Sequence, residues 1–386
     1  MKKAVKILSY VLVALLSSVV TMAAFCGTTG EPQTSKLDQL ADLIEERFIG
    51  EADRTAMEDA AADAMVASLG DRWSYYIPAD EYASYAEQMA NAYVGIGVTI
   101  QTAGDNTGLL VTKVEESGPA YESGIRVGDC IVAVDGQSVV DQDLNTTSAM
   151  VKGEEGTFVE ITVLRGGVET TFRVERRTIQ TAVATGRMLN ETTGLVTIAN
   201  FDTRCAEETI AAIDSLLAQG AKSLIFDVRN NPGGYVRELV KVLDHLLPEG
   251  DLFRSVSYKG EEKVETSDPD CLEGIPFAVL VNGSSYSAAE FFAAALREYD
   301  TAFLVGVPTV GKGYYQVTYR LSDGSAVGLS EGKYFTPGGV SLAEEGGLVP
   351  DILVEVDDAT AAAIYAGTLD PMEDPQILAA LEELNP

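Results

Sequence analysis

Apolar positions along the chain change their period twice. From Leu37 to Leu69 they recur at helical spacing: Leu37, Leu40, Leu43, Ile44 and Phe48, then Met57, Ala61, Met65 and Leu69. That spacing predicts two or three helices. Gly70-Asp71 breaks the pattern, and Glu81 to Asn91 resumes it. From Tyr93 the period falls to two. Strands are expected at Gly95 to Ile100, Gly108 to Val114, Cys130 to Gly136, Phe158 to Leu164 and Thr170 to Glu175. Short helices fit at Ala120 to Ser123 and Leu144 to Val151. This makes a β-rich module of roughly 85 residues, the size of a small domain. After Thr178 strands and helices alternate. Strands are expected at Gly194 to Asn200, Ser223 to Val228, Phe277 to Asn282 and Ala302 to Val307. Helices are expected at Ala206 to Ala218, Gly234 to Leu247 and Ser287 to Glu298. Such alternation predicts an α/β layer with helices packed on a sheet. A hairpin turning at Ser322-Asp323-Gly324 follows, and Asp374 to Leu384 reads as an amphipathic helix.

Composition narrows the classes. A chain of 386 residues exceeds one ordinary core, so two or three domains are expected. The formal net charge of −32 repels phosphate backbones, which excludes nucleic acid as a partner. Lys2, Lys3 and Lys6 precede Ile7 to Phe25, 19 residues without a charge. This predicts a signal or membrane anchor over 1–26, with the body outside the cytoplasm. The run is long for a signal peptide, which favours an uncleaved anchor over secretion. Bulky Phe25 argues against lipidation of Cys26. A polar linker over 27–36 follows. The cysteines have no metal-ligand spacing, and a Cys205–Cys271 disulfide stays open as an extracytoplasmic option. His245 is the sole histidine, so no His-cluster metal site exists. No metal or cofactor is expected.

Three stretches could carry chemistry. Ser287 falls where a helix should begin, Lys312 lies 25 residues later between two glycines, and Gln316 follows by four. Serine needs a base. No G-x-S-x-G elbow surrounds any serine, and His245 reads as a surface or capping residue near a helix end. Lysine remains, and it acts as a base only when neutral. The Gln316 amide could aim it. By itself a Gly-Lys-Gly turn is more often a surface loop. The second stretch, DVRNNPGG from Asp227 to Gly234, ends a strand and could present backbone N–H groups to an oxyanion. A tight strand-helix turn explains it equally well. The third, Gly95-Ile96-Gly97-Val98, could capture a terminal carboxylate beside a strand that pairs with a peptide. Its bland reading is a glycine-rich strand entry.

Together these residues resemble the C-terminal processing peptidases, the S41 Ser-Lys proteases that carry a PDZ domain. The motifs are GIGV with SGPAYESGIRVGDCIVAVDGQSV, SLIFDVRNNPGGYV, VNGSSYSAAEFFAAAL, VGVPTVGKGYYQ, and DGSAVGLSEGKYFTPGGVSL with GGLVPDI, in that order. The resemblance implies an α/β fold: a crotonase/ClpP-like protease core with an inserted, β-rich PDZ domain and flanking helical segments. The expected divisions are a helical segment over 37–92, PDZ over 93–179, protease core over 180–356 and a helical tail over 357–386. It implies a serine-type endopeptidase that cleaves proteins or peptides near their C-termini. Ser287 would be the nucleophile, Lys312 the base and Gln316 the orienting amide. Gly233 or Gly234, with Ala288, would donate to the oxyanion, and Gly95, Ile96, Gly97 and Val98 would bind the substrate C-terminus. A homodimer through the helical segments is also implied. Tyr286 stands where the family usually has alanine, and Val310 where phenylalanine is common. Tyr286 bears on the substrate subsite. The alternatives are a non-catalytic PDZ adaptor or chaperone on a decayed core, and a crotonase-like acyl-transfer enzyme.

Overall fold

The computed structural model describes residues 35–103 and 107–384. The anchor expected over 1–26 and nearly all of the linker expected over 27–36 lie outside the described residues. The chain divides into two units, one ending at Tyr76 and one beginning at Ile77.

In the first unit the helical spacing is realised in Lys36–Arg47 and Arg54–Ala67. The first helix opens on a capping box. Ser35 Oγ accepts from the Asp38 N–H, and Asp38 Oδ2 accepts from the Ser35 N–H, each at 3.1 Å. Ala41 is the one buried residue of that helix, and Leu37, Leu40 and Leu43 remain exposed.

The second unit begins with helix Tyr82–Met89 and the β-rich module. Five antiparallel strands lie in the order Val98–Thr102, Leu109–Val114, Cys130–Val134, Phe158–Arg165 and Val168–Glu175, with Gln137–Ser138 beside the third. Period two is visible in Phe158–Arg165, where Val159, Ile161 and Val163 are buried and Phe158 and Glu160 exposed. The single strand expected from Gly95 to Ile100 is broken. Ala92–Gly95 pairs instead with Arg177–Gln180, and Val98–Thr102 starts a separate sheet. Ile96 and Gly97 form the turn between them, with the Ile96 side chain buried. The ribbon made by Ala92–Gly95 ties the module's entrance to its exit. Asn91, beside it, exchanges amide hydrogen bonds with Asn200 at 2.8 and 2.9 Å.

The core is a six-stranded sheet ordered Ala184–Met188, Thr193–Ile198, Ser223–Asp227, Phe277–Val281, Ala302–Gly306 and Ile352–Leu353. Only its first pair is antiparallel. Both faces are covered, so the strands read as apolar runs rather than alternations. All five residues of Phe277–Val281 are buried, each large one contributing about 1.5–3 kcal/mol. Helices Cys205–Ala218, Val236–Leu246 and Ala288–Glu298 cover one face. Ile377 and Ala380 of the tail helix Pro375–Leu384 pack with Leu195, Ile225 and Leu280 on the other.

A second sheet holds the expected hairpin, Tyr314–Arg320 with Ala326–Phe335, and also Gly250–Ser257 with Glu262–Ser267. The latter two escaped the sequence pattern. A register irregularity between Asp251 and Phe253 puts consecutive Leu252 and Phe253 inside, and Glu262–Ser267 is mostly exposed. Helix Asp358–Tyr365, none of whose residues is buried, falls within the helical tail expected over 357–386.

The disulfide left open by the sequence is not formed: Cys205 and Cys271 are free thiols. Cys205 lies inside the core beside Thr209 Oγ1, and burial pushes its pKa up to about 12.

Candidate active site

Strand order brings the candidate residues together. Ser223–Asp227, Phe277–Val281 and Ala302–Gly306 are parallel neighbours, so their carboxyl ends lie side by side. The loops leaving those ends carry the glycine turn, Ser287 and Lys312. Sites of α/β sheets form at these ends because the loops there converge.

Ser287 caps the helix Ala288–Glu298 at φ 60° and ψ −124°, a backbone conformation that costs a non-glycine residue about 1–3 kcal/mol. The helix therefore starts one residue later than expected. The surroundings hold the strained turn in place. Ser285, fully buried, donates its hydroxyl to the Val228 carbonyl at 2.8 Å and accepts from the Asn282 N–H at 3.0 Å. Asn282 and Asn230 exchange two hydrogen bonds of 3.0 Å. Ser284 is exposed. Of the three serines, Ser285 thus serves as a structural tie and Ser287 is the one at the helix start.

The glycine turn presses directly against Ser287. A Cβ on Gly233, at φ 90°, would sit 2.7 Å from Ser287 Cβ and 2.8 Å from the Ala288 nitrogen. Only glycine fits there. The Gly233 N–H, one of the expected oxyanion donors, is engaged by Asn231 Oδ1 at 2.8 Å. Gly234 is exposed, and its neighbours pair with Phe201: the Phe201 N–H donates to Gly233 at 2.7 Å, and the Tyr235 N–H donates to Phe201 at 2.6 Å. Ala288 is the first helical residue, so its N–H has no partner within the helix. The turn itself is anchored by Arg229, which is buried and bonds Asp227, Asp374 and Gln376.

Lys312 is half-buried. Gly311, at φ 80°, lets its loop lie on Gly346-Gly347, where a Cβ would come within 2.7 Å of backbone. The Lys312 Nζ lies 5.8 Å from the centre of the Tyr286 ring. Gln316 sits beside a register irregularity in strand Tyr314–Arg320. Its Nε2 donates to the Tyr314 carbonyl at 3.1 Å and to Ser330 Oγ at 3.0 Å, which fixes the amide plane.

Two residues join this set that the sequence reading did not single out. Glu290 is fully buried. Its Oε2 accepts the N–H groups of Ser287 and Lys312, each at 3.0 Å. Its Oε1 accepts the Thr309 hydroxyl and the Gly311 N–H, each at 2.6 Å. The signal was available as Ser-x-x-Glu before an apolar run. Tyr334 is the other. Its hydroxyl donates to the Lys312 carbonyl. Burial, with the Glu290 charge behind it, pushes the phenol well above its ordinary value. No local signal marks Tyr334, because the hairpin fold alone brings it in. His245 lies elsewhere, lining an acidic cavity with Glu207, Glu238 and Asp268.

In the β-rich module, the Ile96 carbonyl accepts from Ala120 and the Gly97 carbonyl from Glu115, both at 2.9 Å. Val98–Thr102 is an edge strand of its sheet.

This arrangement defines a serine peptidase core with a recognition module. The model of peptidase family S41 matches residues 192–354, and that of the PDZ domain matches 93–175. The carboxy-terminal processing protease CtpA of Bacillus subtilis is 31% identical over 370 residues, covering 93% of this chain and 79% of that protein. A protein of Staphylococcus aureus (strain N315), by name a CtpA-like serine protease, is 29% identical over 353 residues, covering 88% and 70%. A solved structure from Bacteroides fragilis NCTC 9343, named as an S41 protease, covers 92% of this chain and 99% of its own at 15% identity and TM-score 0.56. That likeness concerns the fold. The chain belongs to the S41 family of carboxy-terminal processing proteases and carries a PDZ domain.

Proposed function

We propose that in this peptidase Ser287 is the nucleophile, Lys312 the general base and Gln316 the group that aims the lysine. One observation carries the reading. A single buried carboxylate, Glu290, holds the backbone of both Ser287 and Lys312. Nucleophile and base are thereby set in one frame, as proton transfer between them requires. Neutral Lys312 takes the Ser287 proton and the serine attacks the amide carbonyl. The oxyanion falls to the Ala288 and Gly234 N–H groups, aided by the positive end of helix Ala288–Glu298. Lys312 then protonates the leaving amine, and water hydrolyses the acyl-enzyme.

Substrates are proteins or peptides taken by their C-termini. The turn at Gly95 to Val98 receives the terminal carboxylate, and the open edge of Val98–Thr102 pairs with the extended chain. The bonding of the Ile96 and Gly97 carbonyls into the module supports this, since it turns that backbone's donors the other way. The enzyme works outside the cytoplasm, tethered by the segment over 1–26, and pairs as a homodimer through its helical segments. These last two points rest on the sequence: on Ile7 to Phe25 and on the family resemblance.

The test of the chemistry is a comparison of cleaved peptides, by mass spectrometry, between native enzyme and the Ser287→Ala and Lys312→Ala variants. Both variants should lose cleavage while keeping native circular dichroism. Native turnover in either one refutes the assignment.

A further inference from the structure

We propose that Tyr286 is a specificity-determining residue: its ring walls the subsite for the first residue of the leaving fragment and restricts that residue to small side chains. The inference rests on the assignment of Ser287 and Lys312 above. Tyr286 immediately precedes Ser287, and its backbone is fixed on both sides. Its N–H donates to the Asn231 carbonyl, and its own carbonyl accepts from the Ala289 N–H, each at 3.2 Å. The same carbonyl lies against the glycine turn, 3.0 Å from where a Cβ on Gly233 would stand. The point from which the ring projects therefore cannot shift without moving the nucleophile. The ring lies toward the base, with Lys312 Nζ over it at 5.8 Å from the centre. An amine at that distance from an aromatic face holds the ring in place when charged. Tyr286 is only half-buried, so part of it stays open to solvent.

The chemistry brings the substrate to this ring. The lysine that protonates the leaving amine must come within hydrogen-bond reach of that nitrogen, about 3 Å. The Cα of the first leaving residue is one bond further, so its side chain starts about 4.5 Å from Nζ at most. That is the space the Tyr286 ring borders. The oxyanion turns the other way, to the Ala288 and Gly234 N–H groups. Burial pushes the Tyr286 phenol above its ordinary value, so the wall is a neutral ring and not a charge. A side chain much larger than that of alanine meets the ring there. Discrimination by size in such a pocket is about 10- to 200-fold.

The experiment uses quenched peptides built on a bond that the native enzyme cleaves, mapped by the mass-spectrometric comparison above. One series carries Ala, Leu or Phe directly after the bond, and a second carries them directly before it. Values of kcat/KM are measured for native enzyme, Tyr286→Ala and Tyr286→Phe. Each ratio is read within one preparation, so partial unfolding of a variant cancels. In the first series native enzyme should cleave the Ala peptide at least about tenfold better than the Phe peptide. Tyr286→Ala should bring that ratio to within about threefold of unity, and Tyr286→Phe should keep it, since the ring does the excluding. A native preference for Phe, a native ratio in Tyr286→Ala, a levelled ratio in Tyr286→Phe, a change confined to the second series, or loss of all cleavage in Tyr286→Ala overturns the proposal. Ser287→Ala is run in parallel. If that variant keeps turnover, the nucleophile assignment falls instead. If it is inactive and Tyr286→Ala keeps the native ratio, only the subsite falls.

Discussion

At the scale of single residues, Glu290 decides whether the site exists. Four donors converge on its two oxygens, two on each. A glutamine there has the same shape but one oxygen fewer. Either orientation of its amide turns an NH2 group against two donors. Glu290→Gln should therefore lower stability by about 3 kcal/mol, as buried donors lose their acceptor. Serine labelling should slow at least tenfold, since Ser287 and Lys312 lose their common tie. Urea denaturation and probe labelling measure the two effects; native values of both would contradict this account. The sequence held part of this information. Ser287, Lys312 and Gln316 were legible as residue types at a spacing that resembles a family. Glu290 was legible as a helix cap but not as a link to a loop 22 residues away. Tyr334 was not legible at all, because its contacts depend on the path of a hairpin.

At the scale of elements, the site depends on how closely the glycine turn approaches the nucleophile helix. Gly233→Ala places a methyl 2.7 Å from Ser287 Cβ and 2.8 Å from the Ala288 nitrogen. It also forces an alanine to φ 90°. Either the turn or the helix start must move, and the oxyanion donors move with it. The expected outcome is a loss of kcat/KM of roughly a hundredfold or more, the size seen when an oxyanion donor is removed. The loss should appear in acylation rates under single turnover, and native acylation would show that the close approach is not needed. Elements with strong periodicity were read correctly from sequence, as in Phe158–Arg165 and Ala288–Glu298. Elements whose burial is irregular were not. Gly250–Ser257 carries a register shift, and Glu262–Ser267 buries little, so neither shows a clear period. The turn at Ile96-Gly97 interrupts what reads as one strand, because adjoining sheets use the two halves.

At the scale of the whole molecule, the described residues contain no helix long and apolar enough to cross a membrane. The attachment proposed above therefore rests on Ile7 to Phe25 alone, outside those residues. The full-length chain is expected to stay with membranes through an alkaline carbonate wash. A chain begun at Gly27 is expected to be soluble with unchanged kcat per titrated site. Finding the full-length chain in the soluble fraction would remove the tether. By itself the sequence determined that a PDZ domain precedes the peptidase region, and it supplied the residue types of the proposed chemistry. Hydrophobic period, glycine placement and charge are local properties, and they survive in a linear string. Only the tertiary structure decided which groups meet. It engaged the Gly233 N–H with Asn231, made Ser285 a tie, and brought Glu290 to Ser287 and Lys312 and Tyr334 to the Lys312 carbonyl. The physical reason is that three parallel strands and one hairpin end at the same place. Contacts between their loops follow strand order, which no single stretch of sequence encodes.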